Sequence, residues 1–164
     1  GGDIEVRGSL NGTVKGSTSG GDVVLGNVTG GKVDLSTSGG DMRTGDIQAD
    51  VTLRTSGGNI ELGNVGGEAS VSTSGGDIKV KSVGKSLKAS TSGGDIEIGD
   101  VGGEAKVSTS GGEIKVTCRA GLRGCEIQVI QHETVAVVSI IADPGRSFRA
   151  VAGWPPSAPR SCAV

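Results

Sequence analysis

The sequence predicts an all-β protein: a parallel β-solenoid (β-helix) of about six to seven 18-residue coils with an irregular C-terminal β or extended tail. Three observations carry this. Thr-Ser-Gly-Gly begins at Thr18, Thr37, Thr55, Thr73, Thr91 and Thr109, at an interval of 19 and then of 18 four times. Between these landmarks apolar and polar residues alternate, the period of a strand with one buried face. The chain has 32 glycines but only two aromatics, Phe148 and Trp154, so a core built on large rings is excluded and the glycines instead mark a repeat.

The unit at residues 91–108, TSGGDIEIGDVGGEAKVS, shows each element in order. A first strand carries Ile96 and Ile98 between Asp95 and Glu97. A corner follows at Gly99-Asp100-Val101-Gly102-Gly103. The second strand carries Ala105 and Val107, and the next Thr-Ser-Gly-Gly closes the coil. At such corners glycine is expected to supply positive φ at little steric cost. Residues 1–17 fit as an earlier coil lacking its first two positions, and the glycine frequency excludes helix.

Stacking the units puts like residues in columns. The first inward column reads Ile4, Val23, Met42, Ile60, Ile78, Ile96, Ile114, and the next Val6, Leu25, Thr44, Leu62, Val80, Ile98, Val116. A corner column runs through Val28, Ile47, Val65, Val83 and Val101. The second strand adds Val33, Val51, Ala69, Leu87, Ala105 and Leu35, Leu53, Val71, Ala89, Val107. Only Thr44 is polar among them. Ladders of β-branched residues are what a buried parallel sheet selects. The outward column Arg43, Glu61, Lys79, Glu97, Lys115 alternates in sign, which suits neighbours about 4.8 Å apart.

The repeat domain is read as residues 1–116. After Val116 the columns stop, and residues 117–164 are expected to form a C-terminal cap or assembly segment. The apolar run TVAVVSII, residues 134–141, is expected as a strand, with Val135, Val137, Val138, Ile140 and Ile141 as its assembly face. Cys118 and Cys125 are close enough in sequence to staple a loop, which leaves Cys162 as the odd thiol.

Composition narrows the function. The net charge of −2, with charges of both signs interspersed, gives no basic field for nucleic acid or an anionic membrane. No stretch approaches the 18 apolar residues of a membrane span. The single histidine, His132, has no identifiable Ser/Asp partners for nucleophilic catalysis, so no catalytic residue is assigned, and no cofactor. Sugar hydrolysis would call for aromatic platforms and paired carboxylates that the repeat region lacks.

The residue after each Gly-Gly pair, Asp3, Asp22, Asp41, Asn59, Asp77, Asp95 and Glu113, suggests either a turn cap bonded to a nearby N–H or, as the alternative, a calcium-binding row. Parity turns the repeat threonine inward and its neighbouring serine outward. Asn11-Gly12-Thr13 and Asn27-Val28-Thr29 are glycosylation sequons.

The TSGGDI-(x)₂-G-(D/N)-V-GG units, clearest at residues 55–80 and 91–116, resemble the bacterial adhesin-like family with β-strand repeats. In architecture alone they are similar to the bactofilins, which polymerise end to end. The first resemblance implies an exported or surface-exposed solenoid without established catalytic residues. The chain opens mid-coil without a Met, as expected of a trimmed N-terminus, and the first coil would offer Ile4, Val6 and a bare edge to another subunit. The expected function is a non-enzymatic extracellular or cell-surface module, self-assembling head to tail, with a cell-surface or glycan partner. A glycan- or calcium-binding solenoid is the alternative.

Overall fold

The computed structural model describes residues 1–117 together with the strands at 126–131 and 149–153. The chain winds through β1 (Ile4–Leu10) and β2 (Val14–Ser17), β3 (Val23–Val28) and β4 (Lys32–Ser36), and β5 (Met42–Thr44) and β6 (Asp50–Arg54). It continues through β7 (Ile60–Val65) and β8 (Ala69–Ser72), β9 (Ile78–Val83) and β10 (Leu87–Ser90), β11 (Ile96–Val101) and β12 (Ala105–Thr109), and β13 (Ile114–Val116). The odd-numbered strands up to β13 stack in chain order as one seven-stranded sheet. The even-numbered strands, with β15 (Arg149–Gly153) beyond β14 (Glu126–Gln131), form an eight-stranded second sheet. Every pairing is parallel. The protein is an all-β parallel solenoid of about six coils of 18 residues, each contributing one strand to each sheet.

The predicted columns are the observed registers. Ile60 faces Met42 and Ile78, Leu62 faces Thr44 and Val80, and Val65 faces Val83. On the second sheet Ala69 faces Val51 and Leu87, while Val71 faces Leu53 and Ala89. These residues form one continuous buried core between the sheets, with Ile4, Val6, Leu10 and Val14 of the first coil only partly covered. Burying a larger aliphatic contributes about 1.5–3 kcal/mol. The handful in one coil does not offset the ordering of 18 residues at about 1–2 kcal/mol each. A single coil is therefore unstable alone, and stability resides in the stack.

The interval of 19 comes from one extra residue in the second coil: Val28 pairs with Ile47 nineteen positions on, whereas Val33 pairs with Val51 eighteen on. The first coil absorbs its own extra residue in a bulge between Val6 and Ser9, where Gly8 has φ +92°.

Three expectations need correction. Positive φ is not why the repeat needs glycine: among the described residues only Gly8, Gly12 and Gly31 adopt it, all in the first two coils. The second glycine of Thr-Ser-Gly-Gly is required by close approach instead. A Cβ on Gly58 would collide with the carbonyl of Gly40 in the coil below, whereas one on Gly57 would meet nothing closer than 3.7 Å.

Second, the end of the inward columns at Val116 is not the end of the ladder. β14 and β15 carry the second sheet two rungs further, with Ile127 opposite Ala105 and Val129 opposite Val107. Third, the Asp row does not cap its own turns, as described below. The predicted strand face Val135, Val137, Val138, Ile140 and Ile141 lies outside the described residues, as do Cys118, Cys125 and His132.

Candidate functional site

The chemistry the repeat displays is that of its polar side chains, and two rows of them bind coil to coil. At each Thr-Ser-Gly-Gly corner the threonine turns inward, as parity predicts. Thr37, Thr55, Thr73, Thr91 and Thr109 are 1–6 % exposed. The Thr73 hydroxyl donates to the carbonyl of Gly58, 2.9 Å away in the coil below, and accepts the N–H of Gly76 in its own corner at 3.3 Å. Thr55, Thr91 and Thr109 repeat both bonds. A buried hydroxyl is tolerated because donor and acceptor are both satisfied. The serine beside each threonine faces solvent.

The row after the glycines forms a second ladder. Oδ1 of Asp41 accepts the N–H of Asn59 at 2.8 Å, Oδ1 of Asn59 that of Asp77 at 2.8 Å, and Oδ1 of Asp77 that of Asp95 at 2.8 Å. Asp95 continues it to Glu113 at 2.7 Å. The N–H partner therefore belongs to the equivalent residue of the next coil rather than to the same turn. Asn fits as well as Asp because only one carbonyl-type oxygen is needed. A shorter ladder at the first strand's far end runs from Asn27 to Asp46 to Asn64. With one oxygen of each Asp and Asn held this way, the row has a structural role that needs no cation. Among the described residues no group of three His, Cys, Asp or Glu is placed to hold a metal ion.

The alternating outward column pairs as its signs predict. Arg43 lies 3.7 Å from Glu61, and Glu97 lies 3.6 Å from both Lys79 and Lys115. These side chains are half or more exposed, so each pair contributes at most about 1 kcal/mol. The shallow depression beside them is lined by Asp41, Arg43, Asn59, Glu61, Asp77 and Lys79, with only the edges of Met42 and Ile60. It is not the apolar concavity in which small molecules are usually bound.

Thr44 is the exception inside the core: its Oγ1 is buried and has no hydrogen-bond partner. Of the sequence-predicted assembly residues, Ile4 and Val6 sit side by side on β1, whose other edge carries no strand among the described residues. Reading by columns missed the lysines of the fifth coil. Lys81 and Lys85 stand where the neighbouring coils have glycine, a signal visible in the repeat alignment itself.

A family model described as Toastrack DUF4097 matches residues 1–120, nearly three quarters of the chain, and the chain belongs to that family. Comparison with curated proteins and with solved structures finds no match.

Proposed function

We propose that this Toastrack protein is a non-enzymatic structural solenoid, an adhesin-like module working outside the cell or on its surface, that extends itself by stacking copies end to end. The fold supports the structural part: a Toastrack β-solenoid whose interior polar groups serve to hold coils together. The observation that carries the assembly reading is the equivalence of the coils. Each presents to the next the same backbone edge, the same Asp or Asn acceptor and the same glycine carbonyl. A coil of a second copy can use those groups as an internal coil does. The edge of β1 and β2, with Ile4 and Val6 half-covered, is where it would dock. Head-to-tail contact of this kind does not close and yields a filament.

Electron microscopy of the purified chain tests this. Unbranched filaments with an axial layer line near 4.8 Å are expected, and Ile4→Lys should abolish them. Discrete particles at every concentration up to about 100 µM would sink the assembly reading.

A further inference from the structure

We propose that the fifth coil, residues 73–90, carries a binding site for a linear polyanion, formed by Lys81, Lys85 and Lys88. The overall charge of −2 hides this site because charge is distributed unevenly from coil to coil. The fourth coil has Glu61 and Glu68 and no cation. The sixth has Asp95, Glu97, Asp100 and Glu104 against Lys106. The fifth, between them, has four lysines and one carboxylate, Asp77. Lys79 is held by Glu97. Lys81, Lys85 and Lys88 are exposed, and among the described residues no carboxylate pairs with any of them.

Their positions follow one another around a single corner of the coil. Lys81 stands on β9 between Gly63 and Gly99 of the adjacent coils, and Lys85 lies in the corner between Gly67 and Gly103. Neither has a side chain directly above or below it, so an anion can approach each ammonium over bare backbone. Lys88, on β10, continues the band around the corner to the second sheet, where the coil below has Ser70 and the coil above has Lys106, itself paired with Glu104.

At Lys81 and Lys85 the band is one coil high, and the coils on either side carry more carboxylates than cations. A polymer of regularly spaced carboxylate or phosphate groups is therefore accepted across the solenoid axis and repelled along it. Nucleic acid fits less well, because the coils, residues 1–117, contain no aromatic ring on which a base could stack. This site is independent of end-to-end assembly, since it lies on the flank of an internal coil.

The test is fluorescence anisotropy of labelled polygalacturonate and of labelled polyphosphate with the full chain, over a salt series from about 50 to 500 mM. The expected result is binding to at least one probe at low salt, weakening with a slope of roughly −0.7 to −0.9 per anionic group neutralised. The two probes distinguish carboxylate from phosphate chemistry. The triple variant Lys81→Gly, Lys85→Gly, Lys88→Ser installs the residues the coil below already carries, so folding is retained. It should lower affinity about tenfold or more and reduce the salt slope by about two. Absence of binding to both probes at low salt overturns the proposal, as does a triple variant that binds like the parent. Low-salt self-association of the parent that the triple variant lacks, without probe binding, would assign the lysines to the acidic rows of a second copy and equally overturn it. Discrete particles in the microscope would leave these outcomes unaffected.

Discussion

The hydroxyl of Thr73 donates to the carbonyl of Gly58 at 2.9 Å, so the side chain that closes one corner is anchored in the coil beneath it. Because the same oxygen also receives the N–H of Gly76, its removal strands two buried backbone groups. Thr73→Val should cost about 2–6 kcal/mol, from roughly 1–3 kcal/mol for each of the two unsatisfied groups. Thr73→Ser, which keeps the hydroxyl, should cost less than half as much. Urea unfolding midpoints measure both, and equal losses would refute the hydrogen-bond account.

The two glycines of one corner should respond oppositely. Gly58→Ala drives a methyl into the Gly40 carbonyl, and backbone cannot step aside as a side-chain tip can. A loss of several kcal/mol, of the order of the larger overpacking costs, is expected. Gly57→Ala meets only ordinary contact at 3.7 Å and should change stability by less than about 1 kcal/mol. Thermal melts of the pair decide it; similar destabilisation by both would mean that conformational freedom, not close approach, is what the corner needs.

In the Asp row, Asp77→Asn should be nearly silent and Asp77→Ala should not. Asn keeps the Oδ1 acceptor for the N–H of Asp95, as Asn59 already does one coil below. Ala removes it at a cost of about 1–2 kcal/mol. Chemical denaturation of the two variants provides the comparison, and an Asn variant as unstable as the Ala variant would mean that charge rather than the hydrogen bond matters there.

Thr44→Val should stabilise the protein. The orphaned Oγ1 sits in a column of Leu25, Leu62 and Val80, and replacing it with a methyl removes a desolvation penalty of about 1–3 kcal/mol. A rise in the melting temperature is expected; a fall would show that the hydroxyl has a partner.

Much of this architecture was legible because it is written twice, once as alternation within a strand and again as identity between coils. Ile60, Ile78 and Ile96 could be placed in one column from spacing alone. The partners of Asp77 could not, because familiar turn-capping patterns are local and its bond reaches a residue 18 positions away. Nor could the role of Gly58, since sequence marks a glycine without distinguishing a special φ from a missing Cβ. β14 escaped notice because no Thr-Ser-Gly-Gly precedes it. The spacing of Ile127 and Val129, the same two-residue step as Ala105 and Val107, was the available signal. The lysines of the fifth coil were overlooked for a different reason: inward columns define a fold, while function is displayed by outward departures from the repeat.

The direction of the Asp and Asn ladder has a consequence for how the protein is made. Each of these side chains on the described ladder offers its oxygen forward, to a backbone N–H that lies later in the chain, and each corner hydroxyl reaches back to a carbonyl already laid down. A coil leaving the ribosome thus meets acceptors waiting on the coil before it. Growth can proceed rung by rung in the order of synthesis, without waiting for the C-terminus.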